Sequence, residues 1–229
     1  MFNQYRSLFH DLFVEMMDNG IVTINIASLK KQKKYTKKRK RLTIKQYKAI
    51  YKSSPNWLQV AMDLSLQTSQ GRNEIVNLKY NDLIDGFIRI TRCKTQKYDS
   101  SRVEIPISDK LRDIITLSFN DIASPFIVHK KPSKITQARL LLSDVNQVTP
   151  EQITREFKLV RDSLEMFENI EPSKRPTFHE IRALSIFLGE KSGFDMKARA
   201  CHSDRKMTER YIRGHELEFN RVENIEIEL

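Results

Sequence analysis

The chain has 229 residues, of which 39% are hydrophobic, and a net charge of +11 from 40 Lys and Arg against 29 Asp and Glu. The hydrophobic content is typical of a folded chain and excludes a disordered one. No run of 18 apolar residues occurs, so the sequence predicts no membrane span. The basic excess favours a polyanionic partner, of which nucleic acid is the commonest and a membrane surface the alternative.

Cysteine usage argues against disulfides and zinc. Cys93 and Cys201 are the two cysteines, which is too few for a disulfide framework, and neither stands at zinc-ligand spacing from a histidine. The first residues have no signal-peptide layout. We therefore expect a protein of the reducing cytoplasm that uses no metal and no cofactor.

A helix and then a basic block begin the chain. Residues 2–18 place apolar side chains on one helical face, and Asn19-Gly20 ends that helix. Residues 30–41 read KKQKKYTKKRKR and contain no acid, so they cannot pack on themselves and are predicted to be a linker. Two interpretations stay open, a solvated tether and a strap along DNA phosphates. The residues of such a strap are Lys30, Lys31, Lys33, Lys34, Lys37, Lys38, Arg39, Lys40 and Arg41.

The remaining residues, 42–229, predict a mainly helical domain with a small sheet. Capping boxes begin at Thr43, Thr149 and Thr177. Strand-like alternation occurs twice on either side of a polar hairpin tip, and the tail NIEIEL is a candidate edge strand. Residues 1–29 are too few for a core of their own and are predicted to be the end of another helical domain. The predicted helices are 43–66, 73–83, 109–119, 150–167, 178–191 and 204–213, and the predicted strands are 87–91 and 102–106.

Four residues near the end of the chain could bind and attack a phosphate. His179 and Arg182 are one helical turn apart near a predicted helix start, where an anion is favoured. His202 and Tyr211 follow, nine residues apart. A tyrosine hydroxyl has a pKa of about 10 and is a weak nucleophile unless cations or a base surround it. Arg and His side chains gathered around a phosphodiester would supply that environment.

These four residues, at these spacings, resemble the tyrosine recombinase family and most closely its lambda-type phage integrases. The resemblance covers the chain from about residue 42 to its end. It implies the mixed, mainly α catalytic domain with a small antiparallel sheet of three strands, which clamps DNA together with a second domain. It also implies that Tyr211 forms a 3′-phosphotyrosyl link without metal, with double-stranded DNA as partner and a tetramer as the assembly.

The resemblance implies two further catalytic residues. A lysine general acid is expected on the hairpin, where Lys94 matches best and Lys97 is the second choice. An arginine is expected in a T-G-x-R pattern, but the ungapped alignment of TSQGRNEI puts Gly71 in its place and Arg72 one residue later. Three interpretations stay open: Arg72 reaches the phosphate after a local shift, the catalytic arginine is lost, or the loop aligns differently. Cys201 stands where the family usually has glycine.

Three functions are therefore carried forward. The first is a site-specific recombinase or integrase, with Lys94, Arg72, His179, Arg182 and His202 around the nucleophile. The second is a DNA-binding relative that cleaves poorly, which the glycine in the arginine position favours because one lost oxyanion donor lowers a rate about 10²- to 10³-fold. The third is a type IB topoisomerase-like enzyme, which nicks and reseals DNA without a partner duplex.

Overall fold

The computed structural model describes residues 1–33, 39–93 and 101–215. It divides into two compact units, residues 1–38 and 39–229, with the boundary inside the predicted linker. Several predicted features lie outside the described residues, namely the edge strand in the tail and Lys34, Lys37, Lys38, Lys94 and Lys97. None of the described helices is long and apolar enough to cross a bilayer.

The described part of the first unit contains one helix, α1, Phe2–Asp18, as the sequence predicted. Its apolar stripe faces solvent, with Tyr5 55% exposed and Leu8 63% exposed. None of residues 1–33 is buried. The described part of this unit therefore has no hydrophobic core of its own.

The second unit is mainly helical with one small sheet, which confirms the predicted fold class. Its helices are α2 Ile44–Lys52, α3 Asn56–Thr68, α4 Arg72–Asn77, α5 Asp109–Ser118, α6 Gln137–Leu140, α7 Pro150–Asp162, α8 His179–Lys191, α9 Met196–Arg199 and α10 Arg205–Ile212. Its strands are β1 Leu83–Ile84, β2 Phe87–Thr91 and β3 Arg102–Pro106. The short elements β1, α6 and α9 were not predicted, because four residues or fewer carry too little periodicity.

The sheet is antiparallel in the order β1-β2-β3. Asp85 and Gly86 both take positive φ angles, 51° and 81°, in the two-residue turn between β1 and β2, as a type I′ turn requires. Strand β2 alternates exposed and buried side chains, and exposed Arg89 pairs across the strands with Glu104 at 2.7 Å. This alternation is the pattern from which the sequence predicted β2 and β3. Strand β2 ends at Thr91, so Arg92 is the first residue after it.

Two of the three predicted capping boxes are confirmed. Thr43 and Thr149 each accept a hydrogen bond from the backbone of the third helical residue, whose glutamine side chain bonds back. The single helix predicted over 43–66 is wrong. Helix α2 ends at Lys52 and α3 begins after Pro55, because proline disfavours helical backbone in the residue before it.

The third predicted box, at Thr177, is wrong. Helix α8 begins at His179 with no side-chain cap, and the Glu180 amide donates to the Thr177 carbonyl at 2.8 Å. The Glu180 carboxylate pairs instead with Arg41, at 3.0 Å. The Glu180 carboxylate, which a capping box would use to accept a bond from the helix start, therefore forms a tertiary ion pair with Arg41.

Helices α4 and α7 are shorter than predicted. Helix α4 ends at Asn77 because the next residues leave the helix for a backbone bridge between Lys79 and Phe126 and then for strand β1. Helix α7 ends at Asp162, and a short 3-10 turn at 165–167 follows it. Long-range pairing has ended one helix that local periodicity would continue.

Helix α3 lies at the centre of the core and packs against α5, α7 and α8. Tyr47 of α2 donates a hydrogen bond to buried Asp63 of α3 at 2.7 Å. At the end of α3, Ser69 takes a left-handed φ of 59°, and its hydroxyl lies 2.7 Å from that of Ser185 in α8. The loop after α3 is thereby held against the helix that carries His179 and Arg182.

Helices α8 and α9 approach closely at Gly189. A Cβ atom built on Gly189 would lie 2.3 Å from the sulfur of Met196 in α9, and Met196 is only 5% exposed. The absence of a side chain at 189 therefore lets α9 pack against α8, ahead of the turn that carries His202.

We predict that Gly189→Ala lowers the free energy of unfolding by about 1–3 kcal/mol, because overpacking displaces a buried side chain. Urea unfolding followed by circular dichroism measures this. The matched control is Gly189→Ala in a Met196→Ala background, where the added methyl has room and should be neutral or stabilising, since alanine favours a helix. Equal losses in both backgrounds would contradict the packing argument.

Candidate functional site

The four residues of the predicted phosphate site lie together. His179 and Arg182 are in the first turns of α8, His202 lies in the turn between α9 and α10, and Tyr211 is in α10. The His179 Nε2 atom and the Tyr211 hydroxyl oxygen are 3.1 Å apart. Residues distant in sequence thus form one cluster, as their spacing led us to expect.

Arg182 is the buried centre of this cluster, with 2% of its surface exposed. Its guanidinium donates to Gln70 Oε1 at 3.3 Å, to the Ala200 carbonyl and to His202 Nε2 at 3.2 Å. Its Nε atom has no hydrogen-bond partner among the described residues. All three partners are neutral groups, and among the described residues no carboxylate forms an ion pair with this buried positive charge, which is costly without an anion.

The charge of Arg182 is also affected by its surroundings. Burial is the largest effect on the pKa of Arg182 and lowers it below its ordinary value; Arg92 also lowers it, whereas Tyr211, Glu74 and Cys201 raise it. Burial and the charge of Arg92 disfavour the charged form, which arginine nevertheless keeps in proteins. An anion bound beside Arg182 would offset these two effects, which makes this place suited to a phosphate.

His202 is a neutral, oriented imidazole. Because arginine can only donate, His202 Nε2 must accept the bond from Arg182, so the ring proton is on Nδ1 and points to Thr208 Oγ1 at 3.0 Å. Burial, followed by the charges of Arg182 and Arg92, lowers the pKa of His202 to about 4. At neutral pH His202 therefore holds Arg182 in place and carries no charge.

The ring of Tyr211 is held by three neighbours. It stacks on the His202 ring with centroids 5.2 Å apart and planes inclined by 20°. The His179 ring centroid is 5.6 Å away, and the guanidinium carbon of Arg182 lies 5.7 Å from the Tyr211 centroid, a cation–π distance. These contacts fix the direction of the phenol, with its hydroxyl at His179.

A cavity of about 140 Å³ adjoins the cluster. Its volume is several times the roughly 30 Å³ that one water occupies in the liquid. Three of its lining residues are arginines and one is a carboxylate, so its walls are net positive. The lining residues are Gly71, Arg72, Asn73, Glu74, Arg92, His179 and Arg182. Tyr211 is hydrogen-bonded to His179 of this lining.

Arg72 lines the cavity but makes its polar contacts with α7. Its guanidinium donates to the Pro150 carbonyl at 3.3 Å and to Thr154 Oγ1, and it lies 3.9 Å from Glu151. It makes no hydrogen bond to the Arg182 cluster among the described residues. A catalytic role for Arg72 stays a prediction, and the arrangement shows that the side chain is not preassembled with the other four residues.

Arg41 differs from the other described residues of the predicted strap. Those other residues are exposed, as contact with phosphates requires. They are Lys30, Lys31, Lys33, Arg39 and Lys40.

The Arg41 side chain is only 8% exposed and pairs with Glu180 at 3.0 Å. It also donates to the carbonyls of Arg213, at 2.9 Å, and Arg210. Arg41 therefore ties α8 to the end of α10, the helix of Tyr211.

Several residues of the site were missed by sequence reasoning. Gln70 and Thr208 are fully buried, and each orients a member of the cluster. Arg92 lines the cavity. Arg41 was predicted as part of the strap, and its role as the anchor of α10 was not. Cys201 takes a left-handed φ of 50°, which explains the glycine usual in the family, and the two hydrogen bonds of His202 are nevertheless made. Only this glycine pattern gave a signal in the sequence; side-chain contacts between distant segments leave none.

The sequence profile of the Phage integrase family matches residues 40–217. The chain belongs to the phage integrase family. The integrase of Enterobacteria phage P21 is 31% identical over 218 residues, which cover 90% of this chain and 54% of that protein. This family member thus spans about half the length of that relative.

Solved structures of lambda integrase share the fold of this phage integrase family member. A lambda integrase dimer bound to a COC′ core site superposes with a TM-score of 0.72 and 25% identity, over 95% of this chain and 60% of that one. A lambda integrase tetramer bound to a Holliday junction gives a TM-score of 0.76 at 24% identity, with the same coverage. These similarities confirm the predicted catalytic-domain fold.

We predict that His202 makes stability depend on pH. The folded protein keeps His202 neutral down to about pH 4, whereas an unfolded imidazole binds a proton below about pH 6.5. Stability should therefore fall as the pH decreases from about 6.5 to 4, by up to about 1.4 kcal/mol per pH unit. In His202→Gln this component disappears, which thermal unfolding across the pH range measures. His10→Gln is the control, since the His10 side chain is 41% exposed, and equal slopes in wild type and His202→Gln would refute the assignment.

We also predict that Arg41→Gln lowers the free energy of unfolding by about 1–3 kcal/mol, because it leaves the Glu180 carboxylate, 3% exposed, without this cation. The control is Arg39→Gln, which removes an exposed charge two residues away and should change stability by less than about 0.5 kcal/mol. Urea unfolding measures both variants. Similar values for the two would show that the ion pair contributes nothing.

Proposed function

We propose that the chain is a tyrosine-type DNA strand transferase, a site-specific recombinase of the integrase kind that acts on double-stranded DNA. The observation that carries the proposal is the hydrogen bond of 3.1 Å between Tyr211 and His179, beside a buried Arg182 whose described partners are all neutral. A nucleophile, a base within reach and an uncompensated cation are what an attack on a phosphodiester requires.

The proposed reaction combines this geometry with the 3′-phosphotyrosyl chemistry that the family resemblance implies. The Tyr211 oxygen attacks the phosphorus and forms an O–P bond, while the bond between phosphorus and the 5′ oxygen breaks. The phosphate stays on the 3′ oxygen, so the product is a 3′-phosphotyrosyl link. The phenol proton passes to His179 Nε2, the atom already in contact with the hydroxyl. The leaving 5′ oxygen takes up a proton from a general acid, for which Lys94 is predicted. A 5′ hydroxyl of another strand then attacks the phosphotyrosyl link and releases Tyr211.

The two histidines have different tasks in this proposal. His179 exchanges the proton, since its Nε2 atom faces the Tyr211 hydroxyl. His202 is bonded through both ring nitrogens, to Arg182 and to Thr208, so it positions the arginine. Arg182 donates to the non-bridging oxygens of the phosphate and stabilises the charge that grows there during the attack.

The proposed partners follow from the charge and from the relatives. The exposed lysines and arginines of the strap supply sequence-independent contacts to phosphates. Lambda integrase is known both as a dimer on a core site and as a tetramer on a Holliday junction, and exchange between two duplexes needs several protomers. We propose a tetramer on DNA for this chain as well, in the cytoplasm of a bacterial cell.

A second candidate function is DNA binding with weak or no cleavage. It is favoured by Gly71, which lacks the side chain expected there, and by the contacts of Arg72 with Pro150 and Thr154 on α7. A nicking and closing enzyme of the type IB kind would use the same residues without a second duplex. Both alternatives are outcomes of the experiment below.

We predict that the wild-type chain forms a covalent adduct with DNA and that Tyr211→Phe forms none, because phenylalanine has no oxygen to attack phosphorus. The probe is a pool of short labelled duplexes with a nick and a randomised centre, which traps the intermediate when the cleaved fragment diffuses away. Denaturing gels measure the adduct, and sequencing of the trapped DNA gives the cleavage position.

Tyr80→Phe is the matched control, since Tyr80 bonds to Ser118 in another part of the domain and should keep the adduct. A wild-type chain that shifts the pool in native gels without an adduct would contradict the proposal and favour the binding function. An adduct without transfer to a second duplex would favour the nicking and closing enzyme.

A further inference from the structure

Arg92 is a residue of the cavity to which no sequence motif assigns a role. It follows β2 directly, and its amide donates to the Ser101 carbonyl at 2.8 Å, which extends the pairing of the hairpin by one residue. Its guanidinium donates to the Cys201 carbonyl at 3.1 Å and lines the cavity with Arg182 and His179. The sheet therefore delivers a cation to the same cavity that α8 lines with His179 and Arg182.

Arg92 and Arg182 are held in the same way. Arg182 donates to the carbonyl of Ala200 and Arg92 to the carbonyl of Cys201, the next residue. The left-handed backbone of Cys201 separates these two carbonyl directions. One turn thus positions two guanidinium groups from different elements around a single cavity.

No carboxylate described in the structure lies within ion-pair distance of either guanidinium. Glu74 is the acid in the cavity wall, and its Oε1 atom accepts a hydrogen bond from the Cys93 amide at 3.3 Å. Two like charges that flank a cavity repel each other unless an anion lies between them. The Nε atom of Arg182, buried and without a described partner, is a further donor for such an anion.

The stretch of the cavity wall formed by residues 71–74 contains one cation, Arg72. Gly71 has no side chain, and a Cβ there would lie 3.0 Å from Glu74 Oε2, so the carboxylate stands where a longer side chain would begin. The guanidinium of Arg72 is bonded to Pro150 and Thr154. Arg92 is the cavity-lining arginine that is bonded beside Arg182.

We propose that Arg92 is a catalytic residue, which contacts a non-bridging oxygen of the scissile phosphate and shares with Arg182 the charge that develops during attack by Tyr211. It takes the place of the arginine that the family pattern puts at position 71. This inference rests on the proposed function. Arg92 exchanges no proton and forms no covalent bond; it supplies a fixed positive charge and hydrogen-bond donors.

The test is the rate of adduct formation with the nicked duplex selected from the pool. Arg92→Gln should be slower by about 10²- to 10³-fold, while its affinity for the same DNA falls less than about tenfold. Arg92→Lys keeps the positive charge but loses the paired N–H donors of the guanidinium, so its rate of adduct formation should lie between those of the wild type and Arg92→Gln. The matched control is Arg89→Gln, an equal change of charge on the exposed side of the same hairpin, which should keep the rate of the wild type.

A second substrate separates charge neutralisation from a structural effect. A methylphosphonate at the cleavage position replaces a charged non-bridging oxygen with a methyl group, so the cation has less to stabilise. Arg92→Gln should then lose much less rate, relative to the wild type, than it does with the phosphodiester. Thermal unfolding of both proteins confirms that the variant is folded.

The outcomes are distinct. A normal rate in Arg92→Gln, or an equal loss on both substrates, overturns the role of Arg92 and leaves the proposed function standing on the wild-type adduct. A wild-type chain that forms no adduct overturns the proposed function and this inference with it.

Discussion

The site depends on one buried guanidinium. Arg182 is almost completely removed from water, and its described partners, Gln70, Ala200 and His202, come from two distant segments, the loop after α3 and the turn between α9 and α10, and are all neutral. A buried charge must collect hydrogen bonds or the fold becomes unstable. The loop after α3, the end of α9 and the turn before α10 are therefore held in position by their contacts with Arg182.

Leaving that charge uncompensated is costly for stability and useful for binding. A carboxylate partner would neutralise Arg182 and would also compete with a phosphate for its donors. Neutral partners orient the guanidinium of Arg182 without neutralising its positive charge, which a bound anion can then do. Burial, followed by the charges of Arg182 and Arg92, keeps His202 unprotonated at neutral pH, so that His202 accepts the hydrogen bond of Arg182 while His179 contacts the Tyr211 hydroxyl. The lowered pKa of His202 therefore gives this histidine a different state from the one that an ordinary imidazole would have beside His179.

The distribution of cations departs from the pattern that the family resemblance implies. The family pattern expects an arginine at position 71, where a glycine lies beside the buried carboxylate of Glu74. The cavity instead receives Arg92 from the sheet, while Arg41 from the predicted linker is used inside the protein to anchor α10. A basic residue can therefore serve phosphate contact, catalysis or packing, and its side-chain partners decide which of these it does.

Much of the fold follows from short-range patterns in the sequence. Alternation predicted β2 and β3, and the threonines at 43 and 149 predicted two helix starts, because strand faces and helix caps depend on neighbours within a few residues. The spacing of His179, Arg182, His202 and Tyr211 similarly pointed to a single cluster and to the family. The tertiary structure alone decided that Glu180 leaves its capping box for Arg41, that Gln70 and Thr208 orient the cluster, and that Arg92 enters the cavity. Those contacts join segments more than a hundred residues apart in the case of Gln70, Arg92 and Arg41, and only the packing of the whole domain brings such groups within hydrogen-bond distance.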